Sequence, residues 1–295
     1  MKAVVLVFAL CAGAVFGDDL SDAYDALKRA EAAKNAADVR KYATETSRLA
    51  RIQIAAQLPP EARDAYQKER AIYLSQTDTY TEYSMAVAAS YPNTAPAVVV
   101  QLTDSIIAQT PNSDYLVLAV PPYLAALLAQ SPAQQLEGAA KIMKLQPDNE
   151  DALLALTDGS LRAQQYAATQ RYAAELLAVM SGKPRPERYS VEAWRDKKAQ
   201  LSVHVHFNAG LAACAQLAWQ TCDVHFRAIN SEAALAGQVQ FYLGWANYQI
   251  AKASSDRARM EEALKFSLQS AAIAGETQSA AQQNVAAIQK ELAQK

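Results

Sequence analysis

The sequence predicts an all-α protein built as a solenoid of stacked helix-turn-helix hairpins. Three observations carry that expectation. The chain has only 9 glycines in 295 residues and is rich in alanine and glutamine, both good helix formers. β-Branched runs are nearly absent, apart from Val98-Val99-Val100 and the start of the chain. A stretch in the middle is repeated: Ile106-Ile107-Ala108-Gln109-Thr110-Pro111-Asn112-Ser113-Asp114-Tyr115 is echoed by Ile142-Met143-Lys144-Leu145-Gln146-Pro147-Asp148-Asn149-Glu150-Asp151. In each copy an apolar pair runs into a proline turn and then an acidic helix start. Pro111 and Pro147 are 36 positions apart, close to the period of a two-helix repeat. One such unit cannot bury its apolar face alone and must stack on its neighbours.

The chain opens with Met1-Lys2 and an uncharged apolar run from Ala3 to Phe16, followed by Gly17 and then Asp18-Asp19. This reads as a secretory signal peptide, residues 1–17, cut after Gly17; the alternative is an N-terminal anchor, for which the run is short. Leu10 before Cys11 is wrong for a lipobox. No later stretch is long and apolar enough to cross a membrane, so the mature chain is expected in an exported compartment, the periplasm.

From residue 18 to residue 90 an N-terminal helical segment leads into the solenoid. Leu20–Ala33 and Ala36–Gln57 read as alanine-rich helices, with Ala23, Leu27 and Ala30 at helical spacing. Leu58-Pro59-Pro60 ends the second, and a third spans Glu61–Ser90. Its tyrosines, Tyr66, Tyr73, Tyr80 and Tyr83, share roughly one face, which reads as core packing. Divergent repeats fill residues 91–181. Ala95–Gln109 is a helix, and Asp114–Gln130 is another that Pro121-Pro122 must kink or restart. Ser131-Pro132 opens a helix that Gln146-Pro147 closes, and Asn149–Ala163 and Tyr166–Met180 form a hairpin. Residues 182–189 read as a loop or hinge. Further repeats over 190–295 comprise Ser190–Leu217, Thr221–Ile229, Ser231–Lys252, Arg257–Ile273 and a glutamine-rich capping helix, Thr277–Ala293.

The repeats resemble the tetratricopeptide repeat family over roughly Tyr80 to Glu276. Leu243-Gly244 match the Leu-Gly pair of the family's helix A, and Met260-Glu261-Glu262-Ala263-Leu264-Lys265-Phe266 match the start of helix B, after an insertion around Ser254-Ser255-Asp256. In the preceding unit Gly210, Trp219 and Phe226 take the glycine and the two helix-B aromatic positions, with Cys222 in place of the small alanine. One unit earlier, Pro147, Leu153, Leu156, Tyr166 and Leu176 fit, but Thr157 stands where glycine is expected. In the Asp114 unit Pro121 does so.

The resemblance implies a right-handed solenoid whose concave face is lined by fixed helix-A positions. Carried over, these are Asp151, Leu154, Asp158, Leu161 and Arg162; then His204, Phe207, Leu211 and Cys214; then Gln238, Phe241, Trp245, Tyr248 and Gln249. An aromatic groove suits an extended or helical peptide. The resemblance therefore implies a non-enzymatic scaffold or adaptor that binds another protein or a peptide segment. The alternatives are a structural or assembly subunit of a cell-envelope complex and, from another class, a soluble small-ligand carrier or enzyme. Equally open is whether Phe207, Phe241 and Trp245 face the groove or pack against a neighbouring helix.

Residue chemistry adds limits. A formal net charge of −2, with no Lys/Arg run longer than two, gives no basic face for nucleic acid. Cys214 and Cys222 would sit on facing helices of one hairpin, either bridged or as two small residues in the seam. His204-Val205-His206 together with His225 could suggest zinc, but His204 and His206, two apart on a helix, point about 200° from each other and cannot easily share a metal. With no clustered Cys/His ligands, no phosphate loop and no nucleophile elbow, neither a metal, a cofactor nor a catalytic set is expected. The Asp18-Asp19 and Glu261-Glu262 pairs read as solvated helix starts.

Overall fold

A computed structural model describes residues 19–56, 61, 63–186, 189–229 and 235–294, and every described element is helical. The expected signal peptide, the Leu58-Pro59-Pro60 stop and the helix start at Ser231 lie outside the described residues. The chain divides into two compact units, one ending at Pro147 and the other beginning at Asp148.

The first unit holds α1 (19–32), α2 (Ala36–Ala55), α3 (Ala65–Ala88), α4 (Pro96–Gln109), α5 (Leu116–Gln130) and α6 (Pro132–Leu145). From α2 onward each helix packs on the next, and α2 also touches α4, as α3 touches α5. Leu20 and Ala23 of α1 close the end against Leu49, Ala50 and Leu74. The second unit holds α7 (Glu150–Arg162), α8 (Tyr166–Gly182), α9 (Val191–Ala215), α10 (Trp219–Arg227), α11 (Ala236–Ser254), α12 (Arg257–Ala271) and α13 (Gln278–Ala293). Consecutive helices pack here too, and the odd-numbered ones touch in series, α7 with α9, α9 with α11 and α11 with α13.

Polar caps set many of the helix starts. Side chains of Asn35, Asp64, Ser131, Asn149, Ser190 and Asp256 each accept a bond from the backbone N–H three residues on. The repeated stretch is repeated in backbone too. The Thr110 and Gln146 N–H groups each donate to an isoleucine carbonyl four residues back, Ile106 and Ile142, both at 2.8 Å. Both isoleucines are fully buried.

Two expectations are corrected. Helix α5 runs unbroken from Leu116 to Gln130 with Pro121 and Pro122 inside it, so the prolines do not restart it. Each removes one intrahelical bond, and burial of Leu116, Val120, Tyr123, Leu124 and Leu127 keeps the helix in place. The tyrosine stripe of α3 is not core: Tyr66 is 68% exposed, Tyr73 52% and Tyr83 40%. The buried side of α3 is made of Leu74, Thr77, Thr81, Glu82, Ser84, Met85, Ala86 and Ala88, and its mostly small residues allow close packing. Tyr80 alone of the stripe is half-buried; its hydroxyl donates to Glu31 Oε2 at 2.8 Å, and Lys28 Nζ lies 3.7 Å from its ring centroid.

One turn closes four hairpins, α1–α2, α7–α8, α9–α10 and α11–α12. Lys34, Gln164, Leu217 and Ser255 have left-handed φ of 51°, 57°, 59° and 56°, each two residues before the next helix. The residue after each returns a bond to a carbonyl five back: Asn35 to Ala30 (3.0 Å), Gln165 to Ser160 (2.8 Å), Ala218 to Ala213 (2.9 Å) and Asp256 to Ala251 (3.1 Å). This is the six-to-one bond of a Schellman turn, which glycine ordinarily occupies. No glycine does so here: among the described residues none has positive φ. Leu217 is 67% exposed, so its side chain gives little packing in return for the strain. Leu217→Gly is therefore expected to raise stability by about 0.5–1 kcal/mol, read by denaturant unfolding.

Candidate functional site

The second unit carries a continuous series of ring contacts across α9, α10 and α11. Phe207 of α9 stands edge-on to Phe226 of α10 (centroids 5.6 Å) and to Tyr242 of α11 (6.5 Å). Phe226 stacks on Tyr242 at 4.8 Å and 10°. Along α11, Phe241 meets Tyr242 at 5.1 Å and Trp245 at 5.7 Å, and Trp245 meets Trp219 of α10 at 5.6 Å. Phe226 is fully buried, whereas Phe207, Trp219, Phe241, Tyr242 and Trp245 are each half-buried. The rings thus lean on one another and keep part of their surface open. Leu211 is half-buried against the same core.

The remaining groove positions fall into separate groups. Tyr248 packs against the Ala251, Met260, Ala263 and Ile288 cluster, with Lys252 Nζ 5.4 Å from its ring centroid. Gln249 beside it is half-buried. On α7, Asp158 is brought to α9: its Oδ1 lies 2.7 Å from His204 Nε2 and 2.5 Å from Asn208 Nδ2. The hydrogen bond to Asp158 raises the His204 pKa above its ordinary value, against the opposing effect of burial. Arg162 is exposed in the last turn of α7. Cys214 and Cys222 are joined by a disulfide across the α9–α10 turn, with Cα atoms 5.2 Å apart.

Two buried carboxylates hold these helices in register. Glu150 at the start of α7 is 1% exposed, and it receives Lys183 Nζ at 2.7 Å and Lys197 Nζ at 3.0 Å. It thereby ties the loop after α8 and the first turns of α9 to α7. Asp223 of α10 accepts from Arg227 (2.9 Å), Arg259 of α12 (3.1 Å) and Asn247 of α11 (2.6 Å). The ring-bearing α10 and α11 are thus fixed to α12 by a buried, fully paired charge.

Close helix crossings complete the frame. A Cβ on Gly244 would lie 2.4 Å from Ser267 Oγ and 3.0 Å from the Ser267 backbone N. One on Gly210 would lie 2.7 Å from the Phe226 ring. Thr157, at the corresponding place on α7, is fully buried and turns its hydroxyl back to the Leu153 carbonyl at 2.8 Å.

Tyr242 was not singled out in the sequence, and Trp219 and Phe226 were placed only at the helix-B aromatic positions of the repeat, yet all three belong to the ring series. Trp219 opens α10 directly after a Schellman turn, a position that no periodicity marks as exposed. Among the described residues no helix is long and apolar enough to cross a membrane. No family model, no curated protein and no solved structure matches the chain.

Proposed function

We propose that the chain is an exported, non-enzymatic scaffold, a right-handed solenoid of tetratricopeptide-like hairpins that binds a protein or peptide segment. The observation that carries this reading is the run of half-buried rings Trp219, Trp245, Phe241 and Tyr242 on two adjacent helices, each keeping part of its surface open. Rigid rings give large contact area at low entropic cost, as a peptide-binding surface needs. The solenoid reading is supported by the Schellman turn used four times, by the serial packing of odd-numbered helices, and by the close approaches at Gly210 and Gly244. Export is supported by the Cys214–Cys222 bridge, since disulfides persist in oxidising compartments.

A second reading, an assembly subunit that docks through its N-terminal helices, is favoured by the exposed Tyr66, Ile72, Tyr73 and Tyr83 of α3. Beside them lies a groove of about 470 Å³ lined by Ser75, Gln76, Thr79, Tyr80, Tyr83 and Tyr115. A cross-linking pull-down from the native envelope separates the two. The parent chain, Trp245→Asp and Tyr73→Asp are compared, each checked for unchanged helicity. A protein enriched by the parent and by Tyr73→Asp but lost with Trp245→Asp supports the ring face. The reverse pattern moves the contact to α3, and no enrichment by any of the three overturns both readings.

A further inference from the structure

The α9–α10 hairpin brings two histidines together that lie 19 positions apart in sequence. His206 Nδ1 of α9 lies 3.0 Å from His225 Nδ1 of α10, with ring centroids 5.3 Å apart and planes at 47°. His204 points elsewhere, to Asp158 on α7. In the neutral pair one ring must carry its proton on Nδ1 and donate it to the other. Both rings are half-buried and so reachable by water.

We propose that His206 and His225 form a two-imidazole clamp for a transition-metal dication, Cu²⁺ before Ni²⁺ or Zn²⁺. Nitrogens about 2 Å from one metal ion, at neighbouring coordination positions, stand about 3 Å apart. The observed separation of 3.0 Å matches that spacing, and each ring has to turn so that both lone pairs converge on the ion. For both Nδ1 atoms to ligate, the shared proton moves to Nε2 of the ring that held it. Both imidazoles stay neutral, and no net proton is released. Burial pushes both rings below their ordinary pKa, and His206 acts further on His225 in the same direction.

The clamp is preorganised. It sits on two helices, joined at their turn by the Cys214–Cys222 bridge and held close where Gly210 meets the Phe226 ring. Among the described residues no third His, Cys, Asp or Glu joins the pair. The remaining positions go to water or to a donor group carried by a ligand. Neutral imidazole ligands and the ordinary order of dication affinities place Cu²⁺ first.

The chain has three histidines, so the test is compact. CuCl₂ is titrated into the tag-free chain while the histidine ring protons are followed by NMR. The expected result is that substoichiometric Cu²⁺ broadens the His206 and His225 rings before that of His204. Calorimetry should show Cu²⁺ affinity weakened about tenfold or more by either His206→Gln or His225→Gln, and unchanged by His204→Gln. Equal broadening of all three rings, broadening of carboxylate signals alone, or unchanged affinity in both variants would overturn the proposal. The broadening experiment uses the unsubstituted chain, so it stands even if a variant fails to fold.

Discussion

Replacing Glu150 with alanine is expected to lower the stability of the second unit by about 3–5 kcal/mol at neutral pH, because two lysines are left beside an empty buried pocket. Glu150 is 1% exposed and carries both lysines within 3.0 Å. Burial, the largest influence on its pKa, works to raise it. The bond from Lys183, its own backbone N–H at the helix start, and Lys197 together overcome burial and hold it at about 2, against an ordinary 4.5. A depressed folded pKa means that the stabilisation is complete above the ordinary carboxylate range and is lost as pH falls toward 2. The shift corresponds to roughly 3 kcal/mol, in line with the mutational figure. Denaturant unfolding of the parent should therefore weaken steeply between about pH 4.5 and 2. In the alanine variant this contribution is gone at every pH, and its curve should be flatter across that window.

Gly244→Leu is expected to cost about 3 kcal/mol by forcing α11 and α12 apart. The diagnostic change is smaller. Alanine for glycine inside a helix ordinarily stabilises by about 0.5–1 kcal/mol. At Gly244 the sign should invert, because the new Cβ meets Ser267 Oγ at 2.4 Å and the Ser267 backbone N at 3.0 Å. The hydroxyl can rotate away, but the backbone cannot. Gly182 at the end of α8 has nothing within 4 Å of the same added atom, so Gly182→Ala is the control and should be neutral or stabilising. Melting temperatures of the two alanine variants should move in opposite directions, or Gly244 alone should fall.

Much of the helix pattern was legible because it is written in local chemistry. Prolines at 96 and 132 open helices, and Asn35, Asn149 and Asp256 announce their starts by capping. The hairpin turns were not legible as such. Lys34, Gln164, Leu217 and Ser255 occupy a conformation whose usual marker is glycine, so the four copies share geometry without sharing a residue. The α3 tyrosines misled because spacing shows which residues share a face but not which face is buried. There the Thr, Ser and Ala positions form the inner side, since α2 and α4 pack against it. Glu150 read as an acidic helix start, which it is. Its burial depends on Lys183 and Lys197, more than thirty positions away. The His206–His225 contact and the meeting of Trp219 with Trp245 have the same character, since each needs the register between packed helices.

The most direct test of the ring face places a photo-reactive phenylalanine analogue at position 245, and separately at position 73, of the chain expressed in its own cells. Irradiation is followed by mass analysis of the adducts. One discrete protein adduct is expected from position 245 and none from position 73. An adduct from position 73 alone, or none from either, would contradict the ring face.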